Sequence, residues 1–389
     1  MHTKADGTVA HSEGVGTTAQ GDYSHAEGNT TTANGEASHT EGRETTVIGK
    51  YSHAEGQGTL VQDGAIGAHA EGNITVVHGE VTHEDGTTTK GDYAHAEGQS
   101  THAYGYSSHA EGYETKSIGT QSHAEGAYTQ AIGAQSHAEG VGNTQSIGYG
   151  SHAEGQSTQA KGQNSHSEGA GTTALGVGSH AEGGGSRAEG DYSHAEGYQT
   201  IVHGEETHED GTTTKGDYAH AEGENTQAYG RGSHAEGLGT QAKAQGSHAE
   251  GNGTIANGQW SHAAGQGTTA NGMFSHAEGM QSVTENAAMA SHAEGYQCVT
   301  KNNFAHAEGN VNIAEGFASH AEGGNNTAKG QFSHAEGNNN FANAMSSHAE
   351  GGGNSIDDDA MYAHAEGRNS SPLFSVHFKC CISRNELRS

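Results

Sequence analysis

The 389-residue chain has very few of the residues from which a globular core is built. Leu, Ile, Val and Phe together number 37, and there is a single Trp and a single Pro. A core of ordinary thickness needs many more large apolar side chains, which excludes an ordinary globular enzyme. No apolar run approaches about 18 residues, so we expect no membrane insertion.

Basic residues and cysteines are also scarce. Lys and Arg number 16 against 47 Asp and Glu, and the formal net charge is -31. This charge argues against nucleic acid as a partner and against an anionic membrane surface. Cys298, Cys380 and Cys381 provide neither a disulfide framework nor a zinc-site spacing. Residues 1–14 contain no apolar segment of the signal-peptide type, so we expect no classical secretion signal there.

The chain is dominated instead by a repeat. A pentapeptide related to Ser-His-Ala-Glu-Gly recurs from His11 to His364, with His83 and His208 among its members, and holds 26 of the 31 histidines. Of the 25 spacings between successive repeat histidines, 19 are 14 residues. The composition alone is typical of disorder, but a fixed period is typical of a solenoid.

Each period divides into two halves of seven residues. A looser pentapeptide, such as Thr31 to Gly35, lies between successive copies such as Ser24 to Gly28. Small residues at alternate positions predict short strands with Ser, Thr and Ala inside, and the glycines predict turns with positive φ. The sequence therefore predicts an all-β parallel β-roll, or solenoid, of about 26 turns of 14 residues over residues 1–367. Residues 368–389 lack the repeat and are interpreted as a cap or the start of another domain.

The seven-residue pattern resembles the head repeats of trimeric autotransporter adhesins of the YadA type, over about residues 8 to 367. The pentapeptide motif Ser-His-Ala-Glu-Gly is also similar to repeat tracts in tail or fibre proteins of phages and large DNA viruses. The resemblance implies a left-handed roll, three chains side by side as a homotrimer, and a role in surface attachment. The chain differs in carrying His and Glu where that family commonly has apolar residues.

The repeated His and Glu lie two residues apart, so both point to the same side of a strand. We interpret this constant face as the contact with neighbouring chains, although tandem duplication alone could also keep it constant. Candidate trimer-interface residues are His109, Glu111, His123, Glu125, His137 and Glu139.

A metal-binding ladder is the lesser alternative for the same face, because His and Glu are suitable ligands. Its candidate residues are His25, Glu27, His39, Glu41, His53 and Glu55. Adjacent residues of a strand point to opposite faces, so His25 cannot activate Ser24. We expect no catalytic residues, no cofactor and no enzymatic activity.

The predicted function is a structural or adhesive rod, in which a trimeric fibre or adhesin-head segment attaches by many weak contacts. The expected partners are the chain itself and an undefined surface receptor or matrix component. The expected location is extracellular, at a cell or virion surface, with a virion fibre favoured. The alternatives are a passive spacer in a fibre and a monomeric solenoid that binds a regular surface such as ice through threonines, for example Thr158, Thr200 and Thr240.

The pairing of His with Glu leads to an expectation about pH. A neighbouring carboxylate should raise the pKa of each histidine, so that mild acid favours the assembled state. Dry histidines stacked on one another would instead have a lowered pKa, and acid would then split the assembly.

Overall fold

A computed structural model describes residues 2–84, 86–207 and 213–371. These residues form strands and turns but no helix, and the chain divides into two compact units, Met1–Tyr198 and Gln199–Ser389. Each unit is a parallel β-solenoid in which every turn contributes one strand to each of two sheets. The predicted all-β parallel solenoid of about 26 turns with a 14-residue period is therefore confirmed.

One sheet, here called the His sheet, is built from strands that begin at a repeat histidine. In the described part of the first unit these strands are His11–Val15, His25–Asn29, His39–Thr40, His53–Gln57, His69–Asn73, His95–Gln99, His109–Tyr113, His123–Ala127, His137–Val141, His152–Gln156, His166–Ala170, His180–Gly184 and His194–Tyr198. In the described part of the second unit they are His220–Glu224, His234–Leu238, His248–Asn252, His262–Gln266, His276–Met280, His292–Tyr296, His306–Asn310, His320–Gly324, His334–Asn338, His348–Gly352 and His364–Arg368.

The other sheet, here called the variable sheet, consists of two-residue strands from the looser half-turn. In the first unit these are Lys4–Ala5, Thr18–Ala19, Thr32–Ala33, Thr46–Val47, Leu60–Val61, Val76–Val77, His102–Ala103, Lys116–Ser117, Gln130–Ala131, Gln145–Ser146, Gln159–Ala160, Thr173–Ala174 and Arg187–Ala188. In the second unit they are Ile201–Val202, Gln227–Ala228, Gln241–Ala242, Ile255–Ala256, Thr269–Ala270, Val283–Thr284, Val299–Thr300, Ile313–Ala314, Thr327–Ala328, Phe341–Ala342 and Ser355–Ile356.

The interior between the two sheets is filled by small side chains. Ala26 and Ala33 are fully buried, as are Thr31 and, to within 1%, Ser24. The Ser24 hydroxyl donates to the carbonyl oxygen of Gly21 at 2.6 Å, so the side chain also fastens the corner that leads into its own strand. An interior this thin explains why the sequence contains so few Leu and Phe.

The two glycines of a turn have different roles. Gly28 has φ of +109°, which favours glycine, as the sequence predicted. Gly35 in the other half-turn has no positive φ, but a Cβ there would lie 2.0 Å from the carbonyl oxygen of Gly49 in the next turn. The second glycine is therefore required by the close approach of successive turns rather than by its own φ.

One predicted turn of the solenoid is replaced by a hairpin. His69 pairs directly with His95, and the residues between them include an antiparallel hairpin of Glu80–Thr82 with Thr88–Lys90. The interpretation of His83 as a member of the periodic ladder is therefore wrong. The reason lies in the next residue, because Glu84 occupies the position that Ala fills in other copies, and a carboxylate cannot enter so thin an apolar interior.

The second unit contains a hairpin at the equivalent place. Glu205–Thr207 pairs with Thr213–Lys215 in antiparallel register, and His208 between them lies outside the described residues. Most of the proposed C-terminal segment, residues 372–389, including Cys380 and Cys381, also lies outside them. Cys298 is buried in the interior of the second unit.

Four buried asparagines form a ladder that the sequence analysis did not recognise. They occupy the position of the interior threonine in successive turns of the second unit, at Asn312, Asn326, Asn340 and Asn354. The Asn326 side chain donates to the carbonyl oxygens of Glu322 and Gly337 at 2.6 and 2.9 Å and accepts from the Asn340 amide at 2.8 Å. The 14-residue spacing of these asparagines in the sequence is the signal that could have predicted the ladder.

Candidate functional site: the histidine–glutamate face

The outward side of the His sheet presents one row of imidazoles and one row of carboxylates. Parallel pairing without a register shift sets His123 opposite His137 and Glu125 opposite Glu139. The ring centroids of successive histidines lie 4.6–4.9 Å apart along most of each unit, and most ring planes are nearly parallel. The strand spacing of about 4.8 Å therefore fixes the stacking distance.

All six candidate interface residues lie together on this face in the first unit. The Nε2–Oε2 distance is 3.5 Å between His109 and Glu111, 3.5 Å between His123 and Glu125, and 3.6 Å between His137 and Glu139. These side chains are about one-third exposed. The predicted side-by-side arrangement of His and Glu on one strand is confirmed.

The residues of the lesser metal-ladder alternative also lie together, but with a different pairing. The carboxylate of Glu27 contacts His39 of the next turn at 3.5 Å, and Glu41 contacts His53 at 3.9 Å. Glu55 likewise lies 3.8 Å from His69. The carboxylates can thus approach either the histidine of their own strand or that of the following strand.

The Nε2 atoms of many ladder histidines are enclosed by their neighbours and take part in no hydrogen bond. This group includes His25, His39, His53, His95, His109, His123 and His137 in the first unit and His248, His292, His306, His320 and His334 in the second. The contacts to Glu at 3.3 Å or more are longer than an ordinary charge-assisted hydrogen bond of 2.7–2.9 Å.

Burial, followed by the charge of neighbouring histidines in the stack, lowers the pKa of twelve ladder histidines below the ordinary value near 6.5. The nearby glutamates oppose this change only in part. The twelve are His53, His95, His109, His137, His152, His180, His248, His262, His292, His306, His320 and His334. The expectation of raised pKa values is therefore wrong for these residues, because stacking removes water and sets imidazoles against each other.

One turn lacks the carboxylate. Ala264 occupies the Glu position of the strand His262–Gln266, and it is 7% exposed. His262 instead lies 3.8 Å from Glu250 of the preceding turn. The stack continues through this strand, since His262 lies 4.7 Å from both His248 and His276.

Where a serine precedes a repeat histidine in the described residues, it faces the interior. Ser122 donates to the carbonyl oxygen of Gly119 at 2.7 Å and is 2% exposed, whereas His123 points outward. The expectation that Ser and His are separated by the strand is confirmed. The threonines considered for a regular-surface ladder, Thr158, Thr200 and Thr240, are also fully buried, so they cannot present the flat threonine surface of that alternative.

A smaller cluster of aromatic and imidazole rings lies at the first hairpin. His78 stacks on Tyr104 with centroids 3.8 Å apart, and its Nε2 lies 3.0 Å from Nδ1 of His102. Burial, followed by the charge of His102, lowers the pKa of His78 to about 4. In the second unit His203 stacks on Tyr229 at 3.9 Å, but Gln227 replaces the second histidine.

Exposed aromatic side chains mark the corner that precedes the His sheet. These residues have φ between 55° and 61° and are more than half exposed: Tyr23, Tyr51, Tyr93, Tyr192, Tyr218, Trp260, Phe274, Phe304, Phe332 and Tyr362. A left-handed backbone is uncommon for bulky residues. The solenoid therefore carries its large side chains at this exposed corner, because its interior has room only for small ones.

No protein-family model matches the chain, and no curated protein matches it in sequence. Within the described residues, a helix long and apolar enough to cross a membrane is not found.

Proposed function

We propose that the chain is a structural and adhesive segment of a homotrimeric fibre, and that the His sheet faces the neighbouring chains. The observation that carries the proposal is the difference between the two outward surfaces. The His sheet presents His and Glu in nearly every turn, whereas successive strands of the variable sheet present residues as different as Leu60, Val76, His102 and Lys116. A surface that repeats unchanged suits a fixed partner, and an identical chain is such a partner.

The thin interior also supports association. Two alanines per turn bury little apolar area, and apolar burial contributes only about 25 cal/mol per Å². The imidazole stack, about one-third exposed, is a regular surface that packing between chains would cover. The resemblance to YadA-type head repeats adds a left-handed, side-by-side arrangement of three chains to this proposal.

In this proposal the fibre attaches to its partner through the surface outside the His sheet. The variable sheet and the exposed aromatic corners differ from turn to turn, and many weak contacts along a repeat gain avidity without strong individual affinity. We place the fibre outside the cell, on a cell or virion surface, where a receptor or matrix component would be the partner. Retention on such a surface should increase steeply with the number of turns.

Sedimentation of the full chain at micromolar concentration tests the trimer. A cysteine placed on each surface then locates the interface, in a background in which Cys380 and Cys381 are replaced by Ser. Glu125→Cys on the His sheet should cross-link chains rapidly on oxidation, whereas Gln130→Cys on the variable sheet should not. A folded monomer would overturn the proposal, and preferential cross-linking of Gln130→Cys would assign the interface to the other sheet.

A further inference from the structure

Single strands of the His sheet present an imidazole and a carboxylate at the spacing of two ligands on one metal ion. Nε2 of the histidine and Oε2 of the glutamate lie 3.5 Å apart at His109, 3.3 Å at His276 and 3.4 Å at His306. Tetrahedral zinc, with bonds of about 2.0–2.2 Å, separates its nitrogen and oxygen ligands by roughly 3.3 Å. The spacing of the two atoms therefore matches that of two ligands on one ion.

The nitrogen atoms have no hydrogen bond to lose, although neighbouring side chains enclose them, so an ion would reach them only after the glutamate side chain rotates. Nε2 of His109, His276 and His306 makes no hydrogen bond. The opposing carboxylate is too distant for a strong charge-assisted bond, so coordination would replace a weak contact rather than break a good one.

Successive imidazoles are too far apart to bind one ion together. Parallel rings such as His109 and His123 are stacked at 4.7 Å, whereas two zinc–nitrogen bonds span at most about 4.2 Å. A carboxylate can reach the next turn, since Glu250 lies 3.7 Å from His248 and 3.8 Å from His262. An ion would therefore take His and Glu from one strand and complete its coordination with water or a neighbouring carboxylate.

The same arrangement recurs along both units. Groups of two histidines and one glutamate have ligand atoms within 4.8 Å of one another at His69 and His95, His95 and His109, and His123 and His137, among other places. Imidazole together with carboxylate suits Zn²⁺, Co²⁺, Ni²⁺ and Cu²⁺, whereas Mg²⁺ and Ca²⁺ prefer oxygen ligands alone.

We propose that the histidine–glutamate face is a linear array of binding sites for divalent transition-metal ions such as Zn²⁺, with one His and one Glu of the same strand as the ligands in each site. Each site takes both of its protein ligands from one chain, so the array can form on a single chain. In the proposed trimer the sites would lie at the interface between chains.

Repulsion between ions sets the expected occupancy. Ions on adjacent turns would lie about one strand spacing, ~4.8 Å, apart, so alternate turns should fill first. In the described residues the His sheet has 24 strands, and all except His262–Gln266 belong to turns with both ligands. The full chain should therefore bind about 12 ions.

Equilibrium dialysis of the full chain against Zn²⁺, with elemental analysis of bound metal, measures this number. Two variants with equal charge change separate coordination from general attraction to an acidic protein. The face variant carries Glu→Gln at Glu278, Glu294, Glu308, Glu322, Glu336 and Glu350. The control variant carries Glu→Gln at Glu36, Glu44, Glu80, Glu114, Glu285 and Glu315, none of which belongs to the rows of His and Glu.

The face variant should lose about three of about 12 ions and the control none, and Mg²⁺ at the same concentration should not occupy the sites. Equal loss from both variants, no loss from the face variant, or equal binding of Mg²⁺ would overturn the proposal. Circular dichroism verifies that each variant is folded. The variant Ala264→Glu supplies a second test, since it should allow binding at a turn that lacks a carboxylate. Sedimentation of the same samples keeps the outcomes separate, because a monomer that binds Zn²⁺ contradicts only the trimer and a trimer that does not bind Zn²⁺ contradicts only the array.

Discussion

The imidazole of His123 is stacked on that of His109 with centroids 4.7 Å apart and planes within 1° of parallel. The stacking follows from the parallel register, which pairs these two residues in adjacent strands. Burial, followed by the charge of His123, lowers the pKa of His109. Stacking in the ladder therefore favours the neutral form of the His109 imidazole.

Acid should destabilise the fold. The pKa values of the twelve affected histidines are lower in the folded chain, so below about pH 6.5 the unfolded chain binds more protons. The stabilisation that neutral histidines contribute is then fully present above that pH and is lost as the pH falls. For His78, whose pKa is about 4, this loss continues down to about pH 4. Thermal midpoints should be lower at pH 5.5 than at pH 8 and should change little between pH 7.5 and 8.5. A higher midpoint at pH 5.5 would contradict the stacked ladder.

The glycine of the pentapeptide should not tolerate a side chain. A Cβ at Gly265 would lie 2.1 Å from the carbonyl oxygen of Gly279, and φ is +107°. Gly265→Ala should therefore reduce the free energy of unfolding by about 3 kcal/mol or more. The matched control is Gly253→Ala, where φ is +63° and nothing lies within 4 Å of the added atom. It should cost only about 1 kcal/mol, and equal losses in urea denaturation would refute the role of close approach between turns.

Removing one rung of the asparagine ladder should be costly. Asn326→Ala deprives two buried carbonyl oxygens and the Asn340 amide of their partner. At about 1–3 kcal/mol for each buried group left unpaired, a loss of about 3 kcal/mol is expected in urea denaturation. Asn326→Thr should cost less, because a hydroxyl at this position can donate to a carbonyl, as Thr31 does to Glu27 at 3.1 Å. Equal costs would argue against the ladder.

Deletion of one whole turn should preserve folding. Removing residues 123–136 leaves His109 followed at the normal period by His137, so every side chain keeps its face. Removing residues 123–135 instead shifts the junction by one residue and directs inward positions outward. The 14-residue deletion should retain a cooperative transition with a slightly lower midpoint, whereas the 13-residue deletion should become sensitive to limited proteolysis near the junction. Similar behaviour of the two would contradict independent, in-register turns.

The sequence by itself determined the period, the parallel strands and the small-residue interior, because Ser24, Ala26, Thr31 and Ala33 occupy positions where only small side chains fit. It also placed His25 and Glu27 on one outward face, since two-residue spacing on a strand has no other outcome.

Three features depended on tertiary structure and not on the period of the sequence: the turn at His83, the pairing of Glu with His, and the pKa of the stacked histidines. His83 has the repeat spacing, yet Glu84 excludes its turn from the solenoid, because burial of an unpaired carboxylate is unfavourable whatever the period. The pairing of Glu27 with His39 rather than His25 depends on side-chain rotation. The lowered pKa of His109 depends on burial between neighbouring turns. Each of these arises only when turns are stacked at 4.7–4.8 Å, a distance set by backbone hydrogen bonds between parallel strands whose paired residues are 14 positions apart in the chain.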